Sequence, residues 1–265
     1  MGKGKRLSSD EADTSRRRKS SSVRSAAGSV PGKVSETLRS CRVIAPLLLP
    51  PGSEHKEKKR VELDLTSKRV YQDTILSIDN LLVPRECNAW VNFGDERGFE
   101  QSFHRQTSEM AHRDNGRISL HSPEVAAAVF ARVGPFVPAE MGGRTAVACN
   151  SNIRLYRYAV GQRFGKHIDE SVEDENGHVS LWTVLIYLNG GGMEEGGDAE
   201  EEPLRGGETV FYKGNYGGKI AASFSPLKGA CLVHGHGRQC LLHEGSPVTA
   251  GVKYLLRTDV MYALQ

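Results

Sequence analysis

The spacing of apolar residues changes period along this chain. Val61-Glu62-Leu63-Asp64-Leu65 alternates as a half-buried strand does, and Val70 to Ile78 continues in the same style, so the first ordered segments read as strands of a sheet. Pro84 then opens a stretch whose apolar residues fall at helical spacing, which predicts a helix over 84–97. A second helix is predicted over 123–133, where an alanine-rich run is closed by Gly134-Pro135. Both helices are expected to pack on the back of the sheet. After residue 148 nearly every segment is a strand candidate, and no long helical period intervenes. Strands without crossover helices imply an antiparallel barrel or jelly roll, so the fold class is mainly β with flanking helices.

Composition divides the chain. Residues 1–40 are rich in Ser, Gly, Arg and Lys and poor in aromatic and branched apolar side chains, so they cannot bury enough surface to offset the entropy of ordering. They read as a disordered basic tail, followed by a linker over 41–60 and a folded domain over 61–265 with its core in 148–263. Charge follows the same division: residues 1–60 carry 15 Lys and Arg against 6 Asp and Glu, which leaves the remainder mildly acidic. Lys5-Arg6 and Arg16-Arg17-Arg18-Lys19 approximate a two-cluster nuclear import signal. No stretch is long and apolar enough to span a bilayer, and the N-terminus lacks the apolar core of a secretory signal, so the expected location is nuclear or cytoplasmic. Cys41, Cys87, Cys149, Cys231 and Cys240 are odd in number and scattered without CxxC spacing, which suggests neither a disulfide framework nor a cysteine metal site and reads as buried reduced thiols. The Gly- and Glu-rich run 189–205 reads as a mobile acidic loop between strands.

The candidate chemistry begins with His167-Ile168-Asp169. On a strand, residues two apart project to the same side, so one imidazole and one carboxylate can grip one metal. His234, His236 and His243 each offer a second imidazole, and two imidazoles with one carboxylate hold iron(II) while leaving coordination positions open. Further on, Lys253 lies between Val252 and Tyr254, and a lysine turned inward there calls for an anion to neutralise it.

The surrounding text is more specific than the HxD pair. Tyr158-x-x-Gly161-x-x-Phe164-x-x-His167-x-Asp169, the segment Ile186-Tyr187-Leu188-Asn189, Gly206-Gly207-Glu208-Thr209, and His243-Glu244-Gly245 followed by Lys253 occur in order. Together they resemble the catalytic domain of prolyl 4-hydroxylases, among the iron(II)- and 2-oxoglutarate-dependent dioxygenases. The resemblance covers about residues 75–263. It implies a double-stranded β-helix (a jelly roll of cupin-like type) and selects His243 as the third ligand beside His167 and Asp169, because the basic residue that binds the C5 carboxylate of 2-oxoglutarate follows the distal ligand by ten positions, at Lys253. Arg257, on the same strand face, is a candidate to share or replace that role. Tyr158 and Tyr187 match positions whose hydroxyls reach toward 2-oxoglutarate, and Thr209 and Phe211 are expected to line the same cavity.

The implied reaction uses iron(II), 2-oxoglutarate and O2, with L-ascorbate as a helper, and hydroxylates a protein or peptide side chain, proline first, releasing succinate and CO2. Two alternatives stand beside it. One is oxidative demethylation of nucleic acid in the manner of AlkB-like relatives, although the chain lacks their paired distal arginines; the other is a non-catalytic jelly-roll binding protein, although all four key residues are present. Substrate choice belongs to loops. Part of the polar, cation-rich segment 104–117 is expected to form a lid or substrate rim; the alternative is a structural turn, since Asp114-Asn115-Gly116 is strong turn chemistry.

Overall fold

A computed structural model describes residues 37–53, 60–107, 110–191, 202–214 and 218–265. The basic clusters at 5–19 and most of the acidic run 189–205 lie outside the described residues. The elements begin with β1 (Thr37–Pro46), β2 (Arg60–Tyr71), β3 (Ile75–Asp79), α1 (Pro84–Arg97), β4 (Glu100–His104), β5 (Arg113–His121) and α2 (Pro123–Val133). Strands follow almost without interruption: β6 (Glu140–Met141), β7 (Arg144–Cys149), β8 (Asn152–Tyr158), β9 (Phe164–His167), β10 (Val179–Tyr187) and β11 (Arg205–Gly206). The chain closes with β12 (Thr209–Lys213), β13 (Lys219–Phe224), β14 (Cys231–Gly235), β15 (His243–Gly245), β16 (Val248–Ala250) and β17 (Lys253–Leu264).

The strands pair antiparallel in the order β1-β2-β3-β14-β10-β17-β8-β5-β9-β15-β12-β13, with β11 and β16 in a small separate ladder. At the end of that path β13 comes back against β2, so the sheet rolls over on itself as a jelly roll. All described residues belong to one compact unit. No helix among them is long and apolar enough to cross a membrane.

The period-two rule assigns the two faces. On the central strands, Leu155, Val184, Ile186, Val233, Tyr254 and Leu256 all join one large core with both helices. Residues of the opposite parity on the same strands, Tyr156, Tyr158, Leu185, Tyr187, Leu232 and Leu255, turn to the interior of the roll. The first face holds the fold together. The second is free to carry chemistry.

Both predicted helices form over the expected residues. Proline opens α1, and Glu86 in its first turn accepts from the Val83 and Leu48 amides at 2.9 and 2.5 Å. The helix ends at Gly98, whose φ of 79° is left-handed. In α2 the Ser122 hydroxyl caps the Val125 amide at 3.3 Å, and Gly134-Pro135 continues only as one 3-10 turn. The helices are locked by the fully buried pair Glu86–Arg132, whose guanidinium nitrogens stand 2.7 and 3.0 Å from the two carboxylate oxygens.

Two sequence readings are corrected. Residues 37–46, assigned to the tail and linker, form β1: Cys41, Val43 and Ala45 turn inward along it, while Arg42 pairs across to Glu62 and Asp64 of β2 at 3.1 and 2.9 Å. The pairing with β2 supplies the hydrogen bonds that a short, cation-interrupted alternation does not advertise. Beyond it, Leu48 is buried, and its carbonyl accepts from the Trp90 indole at 3.0 Å. Asp114-Asn115-Gly116 is not a turn but part of β5. Gly116 is needed there because a Cβ would stand 2.8 Å from that of Phe99.

Candidate active site

His167 ends β9 and His243 begins β15, and the antiparallel register sets them directly opposite, with ring centroids 4.2 Å apart. Each imidazole has Nδ1 near a backbone carbonyl: Gly165 at 2.8 Å for His167, and Leu241 at 2.9 Å for His243. A carbonyl only accepts, so Nδ1 carries the proton and Nε2 keeps its lone pair. Both Nε2 atoms face Asp169, at 3.6 Å from Oδ1 for His167 and 3.7 Å from Oδ2 for His243. The three side chains gather their donor atoms within 4.8 Å of one another. Burial lowers the pKa of both histidines, that of His167 to about 3, so they stay neutral as metal ligands must. Burial would raise Asp169, yet the Arg257 guanidinium holds it well below the usual carboxylate range.

A pocket opens from this triad into the roll, lined by Tyr156, Tyr158, Phe164, Leu185, Thr209, Gly245, Ser246, Lys253, Leu255 and Arg257. Lys253 lies opposite Tyr158 on the β8–β17 ladder, and only 3% of its surface is exposed. Its ammonium donates to the Gly207 carbonyl at 2.5 Å and lies over the Tyr158 and Tyr187 rings at 5.6 and 5.5 Å. No carboxylate forms an ion pair with it among the described residues, and burial lowers its pKa to about 8. Gly206 and Gly207, at φ 73° and 71°, make the bend that delivers that carbonyl. A buried ammonium facing a pocket with two neutral phenols is what an incoming dianion would satisfy. Two imidazoles and a carboxylate with free Nε2 atoms likewise suit iron(II) better than the closed, thiolate-rich sites that hold structural zinc.

A family model described as the 2OG-Fe(II) oxygenase superfamily matches residues 153–258, from β8 to the middle of β17. Over those residues the chain carries a 2OG-Fe(II) oxygenase domain. No curated protein matches it in sequence. Among solved structures, the oxygenase is similar to a viral collagen prolyl hydroxylase from Paramecium bursaria Chlorella virus-1 in its 2OG complex, at 19% identity over 73% of this chain and 96% of that one, with a TM-score of 0.46. It is also similar to a prolyl hydroxylase from Trichoplax adhaerens in complex with a hypoxia inducible factor peptide (17% identity, 71% and 84% covered, TM-score 0.48). A Pseudomonas putida prolyl-4-hydroxylase gives 15% identity, with 71% and 91% covered and a TM-score of 0.44. Likenesses this distant say nothing about substrate.

The remaining residues read from the sequence take distinct places in the oxygenase. Tyr187 is fully buried beside the pocket, with its hydroxyl 2.7 Å from Thr209 Oγ1. Phe211 lies opposite His243 in the β12–β15 register and stacks on its ring at 5.3 Å. Arg257 lines the pocket four residues from Lys253, but its guanidinium turns to Asp169 Oδ1 at 3.0 Å and Asp259 Oδ1 at 3.5 Å.

Behind Asp169 lies a set of groups that motif reading missed. Thr183 Oγ1 stands 2.7 Å from Asp169 Oδ2, 2.7 Å from His236 Nε2 and 3.3 Å from Asp259 Oδ1. His236 is therefore occupied away from the triad, with Nδ1 3.1 Å from the Ser180 carbonyl. Strand parity was the available signal, since Thr183 shares a face with Tyr187, and Asp259 with Lys253. Phe164, whose ring stacks on His167 at 3.7 Å, was visible in the motif but had no role assigned.

Proposed function

We propose that this oxygenase hydroxylates a side chain of a protein or peptide, with proline as the target residue. The observation that carries the peptide reading is a cleft of about 300 Å³ lined by His104, Met110, Ala111, Arg113, Phe164, His167, Ile168 and Asp169. It opens to the surface beside the triad and is bordered by β4, which pairs with β5 alone, so its outer edge is free among the described residues. A free strand edge beside a reactive centre can take an extended chain through main-chain hydrogen bonds while side chains enter the cleft. The choice of proline rests on the resemblance of the His167-to-Lys253 motif series to prolyl 4-hydroxylases.

In this reading His167, Asp169 and His243 hold iron(II), and Lys253 binds the C5 carboxylate of 2-oxoglutarate. Iron and cosubstrate together supply the activation of dioxygen that makes an unactivated C–H bond reactive. The protein positions and shields. Lys253 fixes the far end of the cosubstrate, Leu185 and Leu255 keep the pocket apolar, and Tyr158 and Thr209 offer hydroxyls to its oxygens. Arg113, whose guanidinium lies 4.3 Å over the Phe164 ring, stands at the border of cleft and pocket. L-ascorbate is proposed as the reductant that maintains iron(II).

The test is incubation with iron(II), 2-oxoglutarate, ascorbate and a library of proline-containing peptides, with products read by mass spectrometry. Peptides that gain one oxygen on proline in step with succinate release support the proposal. Demethylation of a methylated oligonucleotide, with the peptides untouched, would overturn it in favour of a nucleic-acid substrate.

A further inference from the structure

Residues directly opposite on antiparallel strands project to the same side, so the register maps the inner wall of the roll. Across β8 and β17, Tyr158 is opposite Lys253, Tyr156 opposite Leu255 and Arg154 opposite Arg257. Across β5 and β8, Arg117 is opposite Tyr156 and Ser119 opposite Arg154. Tyr156, Tyr158, Lys253, Leu255 and Arg257 line the pocket, so Arg117 and Arg154 belong to the same wall. Arg113 joins it, four residues before Arg117 on β5. Away from Lys253 the wall becomes a patch of guanidinium groups.

These arginines are unequally neutralised. Like charges directly opposite on neighbouring strands repel, and Arg154 stands opposite Arg257. Arg257 has Asp169 and Asp259. Arg154 has neither: it is partly buried, its Nε is buried without a hydrogen-bond partner, and no carboxylate pairs with it among the described residues. Arg117, also partly buried, places its Nε 2.9 Å from the Ser119 hydroxyl, which is neutral. Glu100 is opposite Arg117 across β4 and β5, but it is exposed and forms no ion pair with it. Arg117 and Arg154 are diagonal neighbours across β5 and β8, a backbone separation of about 7–8 Å that long side chains span to meet one shared anion. Arginine's planar fork suits a carboxylate there.

The position of the pair indicates where the anion comes from. Arg113 borders the cleft that opens beside the triad, and Arg117 follows it along β5 by about 13 Å, the length of about four extended residues. Given the peptide-hydroxylase reading of this site, we propose that Arg117 and Arg154 bind the carboxylate of an Asp or Glu side chain within about four residues of the target, so that the substrate is an acidic peptide. A nucleic-acid backbone fits less well, because its phosphates draw on a row of cations along the surface, whereas the Arg154 Nε is buried.

The deciding measurement is selection of binders from a peptide library randomised at every position, on full-length protein loaded with Mn(II) and 2-oxoglutarate, for wild type, Arg154→Gln and Arg117→Gln. Wild type is expected to enrich Asp or Glu at one position, and changing that acid to its amide should weaken binding roughly tenfold or more, a penalty that shrinks to about twofold or less in the variants. Wild-type binders without an acidic preference overturn the proposal, as does an acid-to-amide penalty that persists in both variants. The wild-type selection decides even where a variant misfolds. The same binders test proline separately: an acid enriched around some other residue supports the carboxylate site and removes the proline target, whereas proline enriched without an acid does the opposite. Binding of a single-stranded oligonucleotide with no peptide enriched overturns both.

Discussion

Arg257 Nη2 lies 3.0 Å from Asp169 Oδ1, so the carboxylate that faces the two imidazoles is also paired with a buried guanidinium. The same arginine reaches Asp259 Oδ1 at 3.5 Å. With Thr183 on the other oxygen, Asp169 is fixed from two sides, and a carboxylate fixed in this way presents one orientation to a metal. Burial opposes the charge on Arg257, but the two aspartates outweigh it and raise its pKa.

Replacing that arginine exposes the charge arithmetic. Arg257→Leu leaves Asp169 and Asp259 buried without their cation, and metal-free stability is expected to fall by about 3–5 kcal/mol. A divalent ion restores positive charge at Asp169, so the loss should be smaller with saturating Mn(II). Urea unfolding with and without Mn(II) checks this; equal losses would show that Arg257 does not act through the Asp169 charge.

Lys253 makes a pH prediction with a definite sign. Its pKa is lowered from 10.5 to about 8 in the folded, cosubstrate-free protein, so between about pH 8 and 10.5 the unfolded chain holds more protons and the stability of that form rises with pH. With Lys253 as the proposed partner of its C5 carboxylate, binding of 2-oxoglutarate is expected to do the reverse, because the dianion would need the ammonium. Its affinity should fall as pH rises above about 8, with proton uptake on binding. Calorimetry in buffers of different ionisation enthalpy reads both. In Lys253→Met the pH dependence should disappear and affinity drop roughly ten- to hundredfold, the worth of a charged hydrogen bond of about 1.5–3 kcal/mol.

Gly206 tests whether the bend matters to the site. Its φ is 73°, and a Cβ there would stand 2.4 Å from the Pro247 carbonyl oxygen. Gly206→Ala is expected to cost about 1–3 kcal/mol and to weaken 2-oxoglutarate binding, because the neighbouring Gly207 carbonyl holds the Lys253 ammonium. Gly98→Ala is the control, with φ 79° but no atom within 4 Å of the added Cβ. It should lose some stability by denaturant titration and no cosubstrate affinity.

The Glu86–Arg132 pair lies in the helix layer. Arg132→Leu strands a buried carboxylate and should destabilise by about 3–5 kcal/mol, and adding Glu86→Leu should recover much of it. Metal and 2-oxoglutarate affinities are expected to stay within twofold, roughly, for folded protein in both variants, since neither residue touches the roll interior. A selective loss of cosubstrate binding would contradict that separation.

Local periodicity determined a good deal of this oxygenase. Both helices were legible because proline, capping and glycine signals act within a few residues. Strand content was legible because side chains alternate with period two, and the same rule put Lys253 with Arg257 on a shared face; for His167 and Asp169 it does not apply, because β9 ends at His167 and Asp169 reaches the same point from the segment beyond the strand. What the period could not provide was partnership. That β1 pairs with β2 depends on residues about twenty positions away, and Gly116 reads as turn chemistry until Phe99 is seen against it. Whether Arg257 reaches the cosubstrate pocket or turns to Asp169 was equally open, since face assignment fixes a direction and not a partner. Only the tertiary structure brings Asp169, Thr183, His234, His236, Asp259 and Arg257 together from four separate stretches of chain, because rolling a sheet converts distant strand positions into neighbours across its interior.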